Sequence, residues 1–177
     1  MAIMRPDERQ QLLADLAKGR IFLFAALEGV TDHLAKRRPA SGKWSVLECV
    51  EHVAVAEDFL FGQIVAATQT HSETTMVDAR REALIVERSL DRTKQISAPE
   101  SLLPIGRFQT IADAVQSFVV SRDRTIRFVE NNREDLRCKL TSHPIAGKVN
   151  CYEVLLLMAT HPHRHAKQIE EIRIALG

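Results

Sequence analysis

Apolar residues recur three and four positions apart along four long stretches of this chain, and little interrupts them. Only 7 Gly and 6 Pro occur in 177 residues, too few to punctuate the many short strands of an all-β protein. The pattern predicts an all-α fold. Four amphipathic helices with these connections bury their stripes as an antiparallel four-helix bundle, with an extra short helix and a long loop between the second and third main helices. At this length one domain over residues 1–177 buries an adequate core without staples.

Start and stop signals place the helices. The first begins near Pro6, with Asp7 and Glu8 in its first turn, and ends at Gly29 or around Thr31. A polar connection, LAKRRPASGKW, follows. Ser45 and Glu48 form an S-x-x-E capping box that opens the second helix, which runs to about Thr68 and is ended by THSETT. A short charged helix spans Asp78 to about Lys94, and ISAPESLLPIGRFQ is the longest loop-like stretch. The third helix begins after Thr110, with Ile111, Val115, Phe118, Val119, Arg122, Ile126 and Val129 on one face. It ends at Asn131 and Asn132. The fourth begins after Asn150 and runs toward Leu176.

The 24 basic and 23 acidic residues give a net charge of +1 with no long run of either sign, which excludes a dedicated polyanion binder. One Trp and one Tyr leave little to stack on unpaired bases, so no nucleic-acid partner is expected. Cys49, Cys138 and Cys151 form neither a CxxC nor a disulfide framework. No apolar run approaches a bilayer span, and MAIMRPDERQQ lacks an apolar signal core. The expectation is a cytoplasmic protein without a membrane partner.

Histidines carry the chemistry. His161 and His165 stand four apart in THPHRHAKQIEEIR, so on a helix their rings project about 40° apart around the axis and roughly 6 Å along it. Both fall inside the stripe of Cys151, Val154, Leu155, Met158, Ile169, Ile172 and Leu176. Two imidazoles on an apolar face need either two separate hydrogen-bonding partners or one shared ion. His52 lies at the margin of the stripe Val46, Cys49, Val50, Val53, Leu60, Phe61 and Ile64, where a cleft can leave one side of a metal open. His33, His71, His143 and His163 have no such arrangement and read as surface or loop residues. Pro162, between the paired histidines, removes the amide bond to Met158 and is expected to kink the helix, splaying the rings or improving their bite.

Other residues have two readings each. Arg122, inside the stripe of the third helix, either pairs with Glu57 on the apolar face of the second or holds an acidic substrate group. Glu48 and Glu51 lie near His52. Glu48 serves the cap, or else has a proton-transfer or metal-supporting role. Gln168 orients His165 or is solvated. Trp44 staples the start of the second helix or borders a pocket. Cys49 and Cys151 fall on core faces as small core residues.

The segments GKWSVLECVEHVAVAEDF, APESLLPIGRF and LLLMATHPHRHAKQIEEI together resemble the DinB-like superfamily, specifically its DinB_2 type, across most of the chain. The more specific signal is W-S-x-x-E-x-x-x-H followed by H-x-x-x-H-x-x-Q-I. The resemblance implies a bundle that binds a divalent metal, Zn or Ni first and Fe or Mn after them, through His52, His161 and His165. His163 is not matched. Pro162 departs from the family pattern, where a helix-compatible residue usually stands. The resemblance further implies a homodimer, and either a thiol-dependent transferase using a low-molecular-weight thiol or a hydrolase acting on a small molecule. Metal-activated thiol or water is then the nucleophile, with Arg122 and Glu48 as candidate auxiliary groups. The competing expectation is a non-catalytic, stress-linked binding or scaffold bundle whose metal is structural or absent.

Overall fold

A computed structural model of the protein describes residues 4–70, 78–94 and 96–177. The expected helices are present: α1 (Pro6–Leu27), α3 (Val46–Thr68), α5 (Ile111–Asn131) and α6 (Cys151–Leu176), with the extra short helix as α4 (Ala79–Leu90). Their caps explain their boundaries. Ser45 Oγ accepts the Glu48 amide at 3.2 Å while Glu48 accepts the Ser45 amide at 2.7 Å, so both donors of the α3 capping box are satisfied. Asn150 and Glu153 do the same for α6, and Thr110 accepts from Asp113 at the start of α5. His71 and most of THSETT lie outside the described residues.

Several short elements went unforeseen, among them 3-10 turns at Glu100–Leu102 and Leu136–Cys138. A single helical turn, α2 (Asp32–Ala35), capped by Thr31, forms just after α1 and leads into the polar connection. Before α6, a hairpin pairs β1 (Leu140–His143) with β2 (Gly147–Asn150), Leu140 opposite Asn150 and His143 opposite Gly147. Strands of four residues are too short to establish a period-2 pattern, and the turn depends on Gly147 at φ +71° and on His143 Nδ1, which accepts the Ile145 and Ala146 amides.

Around the bundle the helices neighbour one another in the order α1, α6, α3, α5. One core cluster joins Leu12 and Leu16 of α1, Leu60 to Ala67 of α3, Val129 of α5 and Cys151 to Ala159 of α6. The other joins Leu23 and Ala26, Val46 to Ala54, Ala114 and Phe118, and Ala166 to Ile172. Each end of the bundle therefore collects the N-terminal halves of one helix pair and the C-terminal halves of the other. The parallel pair α1 and α6 packs antiparallel to the parallel pair α3 and α5. The α3 to α5 connection must consequently return along the length of the bundle, and α4 with the following loop is that return.

α4 has no fully buried residue and lies along α6 on polar contacts. Arg81 meets Glu153 at 2.5 Å, Glu82 meets Arg137 at 2.7 Å and Ser89 meets Thr160 at 2.6 Å. It stops at Leu90, short of Lys94, because Arg164 takes up the carbonyls of Asp91 and Lys94 just beyond its end.

α5 is turned from the expected face. Ala114, Phe118, Ser121, Arg122, Thr125 and Val129 are fully buried, while Val115, Val119 and Ile126 are only half-buried. The inward face includes small and hydroxylic residues because it surrounds a buried ion pair rather than hydrocarbon alone.

α1 and α6 approach closely at Gly19, where an added Cβ would lie 2.4 Å from the Ala159 carbonyl oxygen. Gly19→Ala is expected to destabilise the fold by about 1–3 kcal/mol in urea titrations, since two backbones must part. Gly62→Ala on exposed α3 surface meets open space and is expected to stabilise by up to about 1 kcal/mol. Equal effects at the two sites would overturn this packing account.

Candidate metal centre

The i, i+4 pair on α6 and the single histidine on α3 meet. His161 Nε2 lies 3.2 Å from His52 Nε2 and 3.1 Å from His165 Nε2. The three ring centroids are 5.0, 4.8 and 4.5 Å apart, with ring planes inclined 63–75° to one another. This is a tripod converging on one point. Two nitrogens each about 2.0–2.1 Å from a tetrahedral ion lie about 3.3 Å apart, close to these separations.

The hydrogen bonds behind the rings determine what the nitrogens offer. Leu102 O lies 2.8 Å from His52 Nδ1, and Gln168 Oε1 lies 2.9 Å from His165 Nδ1. Oxygens of this kind only accept, so both Nδ1 atoms donate and both Nε2 atoms are bare lone pairs. His161 Nε2 can supply a proton to only one of them. Uncharged lone pairs crowded in this way repel, whereas a cation at their focus satisfies all three, so the donor set fits a metal ion. Burial, with the neighbouring imidazoles adding to it, holds His161 and His165 well below the ordinary imidazole pKa, and burial lowers His52 as well. The neutral ring is the ligating form.

Pro162 does not splay the pair. α6 runs unbroken from Cys151 to Leu176 through Pro162, and the Met158 carbonyl left without its amide partner is taken by Arg122 Nη2 at 2.7 Å. Arg122 is fully buried and all three of its guanidinium nitrogens donate hydrogen bonds. It meets Glu57 twice, at 2.9 and 2.8 Å, and donates to Leu16 O at 2.9 Å. Thr125 Oγ1 adds a bond to Glu57 at 3.0 Å. One side chain of α5 thereby fastens α1, α3 and α6 one turn from the histidine pair. The internal pairing with Glu57 holds, and the guanidinium is committed to protein partners on three helices.

Glu48 serves its cap and Arg38, whose Nε lies 2.9 Å away and whose Nη2 also bonds it, so it is engaged away from proton transfer. Gln168 orients His165. Trp44 packs against the α3 core and also lies beside two of the three rings, 4.9 Å from that of His52 and 6.3 Å from that of His165, walling one side of the cluster. Cys49 and Cys151 are buried core thiols, Cys151 pushed up to about 12 by burial.

Two sequence expectations need correction. His52 is not at an open margin: it is 5% exposed, enclosed by Trp44 and the loop through Leu102, and half-buried His161 is the more accessible ring of the three. His163 is not a free surface residue, since it stacks on Phe22 at 3.9 Å. His33 is exposed and His143 ends β1 at the hairpin turn, and neither belongs to the three-histidine cluster.

Sequence reasoning missed the Leu102 carbonyl, because a backbone oxygen bears no residue signature. It also left Glu51 without a role. Glu51 is 1% exposed and accepts the amides of Ile105, Gly106 and Arg107 at 2.7, 3.2 and 3.1 Å, together with Arg107 Nη1 at 3.0 Å. Its place directly before His52 on α3 was the available clue.

No curated protein matches the chain. Among solved structures it is similar to YfiT from Bacillus subtilis, described as a probable metal-dependent hydrolase with an unusual four-helix bundle topology. The TM-score is 0.64 at 15% identity, covering 98% of this chain and 90% of that one. TT2238, a four-helix bundle protein, superposes with TM-score 0.58 at 18% identity over 92% of this chain and 98% of its own. A conserved protein from Enterococcus faecalis gives 0.62 at 15% identity over 94% and 95%. At these identities the likeness is one of fold. The sequence itself matches the DinB superfamily over residues 15–169, a span that includes all three converging histidines, the whole of α3 and α6 as far as Ile169; the chain belongs to the DinB superfamily.

Proposed function

We propose that this protein is a divalent-metal-dependent hydrolase of a small-molecule substrate, with the ion held by His52, His161 and His165. The convergence of three neutral imidazole nitrogens within 4.8 Å of one another carries the reading. The hydrolase described for YfiT, which shares the fold, supports it. A divalent ion in such a seat supplies Lewis acidity toward a nucleophile and toward the polar bond it attacks.

The chain's own residues provide ligands and their orientation. Leu102 and Gln168 hold two rings in the ligating tautomer, and Trp44 shields one flank from water. Glu48, Glu51 and Glu57 are each engaged by arginines or amides, so none of the three is available as a general base. Low-molecular-weight thiol transfer and a homodimeric assembly are the finer expectations that accompany this reading.

The test begins with elemental analysis of protein purified without an affinity tag, followed by chelation and reconstitution with Zn, Ni, Mn or Fe. Each form is assayed on ester and amide panels and on thiol-plus-electrophile panels. Hydrolysis that disappears on chelation and returns with one ion is the expected result. Turnover only with thiol would replace hydrolysis by transfer, and stoichiometric metal without turnover on any panel would leave a non-catalytic bundle.

A further inference from the structure

Glu51 and His52 are consecutive on α3, yet both grip the same loop. Glu51 receives the amides of Ile105, Gly106 and Arg107, and three residues earlier the carbonyl of Leu102 receives His52 Nδ1–H. The intervening chain is stiff. Pro104 has a restricted φ, Gly106 turns at φ +80°, and Arg107 Nη1 ties back to Leu103 O at 3.0 Å while also meeting Glu51. Loop and helix thus close a short ring of bonds, with the Glu51 carboxylate at one fastening and the His52 imidazole at the other.

We propose that Glu51 is the positioning residue of the metal centre: by holding the 105–107 turn it places the Leu102 carbonyl that keeps His52 in its Nδ1–H form with Nε2 bare. This rests on reading the three histidines as a metal site. Loss of that carbonyl frees the proton to occupy Nε2, inside the ion seat, which both blocks ligation and removes the bond that orients the ring. Four donors converge on a carboxylate sealed from water, so the turn has a strong and directional anchor. Glutamine at this position would present an NH2 group to amides that need an acceptor.

The experiment compares wild type, Glu51→Gln and Gly106→Ala. Long-range nitrogen-proton NMR of the metal-free proteins reads the His52 tautomer, and chelator competition reads zinc affinity. Wild type is expected to show Nδ1–H at His52. Glu51→Gln is expected to shift His52 toward Nε2–H and to weaken zinc binding by about 10–100-fold, with helical circular dichroism unchanged. Gly106→Ala strains the same turn without altering α3 and is expected to change both readouts in the same direction, so it carries the test should Glu51→Gln fail to fold.

Folded variants that keep Nδ1–H and wild-type affinity would overturn the positioning role. A tautomer that responds to Glu51→Gln in a protein that binds no metal would support the positioning while overturning the metal reading. The two failures are therefore separable.

Discussion

Arg122→Ala is expected to destabilise the fold by about 3–5 kcal/mol, read as a fall in the urea midpoint, because it leaves the Glu57 carboxylate buried without its counter-charge. The same substitution orphans the Met158 carbonyl opposite Pro162 and releases Leu16. Two further variants identify the cause. Arg122→Met with Glu57→Leu replaces both charges by hydrocarbon of similar volume and is expected to recover most of the loss, since the pair's net worth is small beside the cost of breaking it. Arg124→Ala, which breaks a pair with Asp58 on a partly exposed surface, is expected to cost under about 1 kcal/mol. A single Arg122→Ala variant as mild as Arg124→Ala would show that Glu57 finds water or another partner.

His161→Ala is expected to lower zinc affinity by at least about 100-fold, because loss of a supporting group alone costs about 10–100-fold and this removes one of the three proposed ligands. Wild type at a free metal concentration 100 times Kd gains about 2.7 kcal/mol, and thermal unfolding with and without zinc should show that increment vanish in the variant. Stability also depends on pH with a definite sign. Burial holds the three imidazoles neutral in the folded chain, whereas the unfolded chain protonates them below about 6.5. Below that pH the unfolded state binds more protons, so stability present above it declines as pH falls toward the lowered folded values. Protons compete with metal for the same nitrogens, and the metal increment declines in the same direction. His161→Ala should flatten the acid slope. A variant retaining wild-type zinc stabilisation would remove the tripod from consideration as the binding site.

The capping boxes at Ser45–Glu48 and Asn150–Glu153, the apolar stripe of α3 and the i, i+4 pair on α6 were legible in the sequence because each depends on neighbours within a turn or two. Arg122 was legible for a related reason: a charge on an apolar helix face requires a partner, and Glu57 occupied the corresponding face of α3. The hairpin was not, since four-residue strands carry too little pattern. The face of α5 was misjudged because Thr125, though hydroxylic, faces inward to bond Glu57 of the buried ion pair, and Ser121 one turn earlier is buried with it.

The site divides along the same line. Spacing alone could bring His161 and His165 to one side of a helix, and the family pattern joined His52 to them. What Pro162 does was decided by a side chain on another helix, since Arg122 satisfies the freed Met158 carbonyl and α6 continues through the proline. The tautomer of His52 was decided by the Leu102 carbonyl, and the enclosure of His52 by Trp44 and the loop that Glu51 grips. Helical period and capping are local, so the sequence by itself determined the main helices, the class of fold and the shared face of His161 and His165. Which backbone oxygen meets which ring depends on how distant segments pack, and only the tertiary structure decided it.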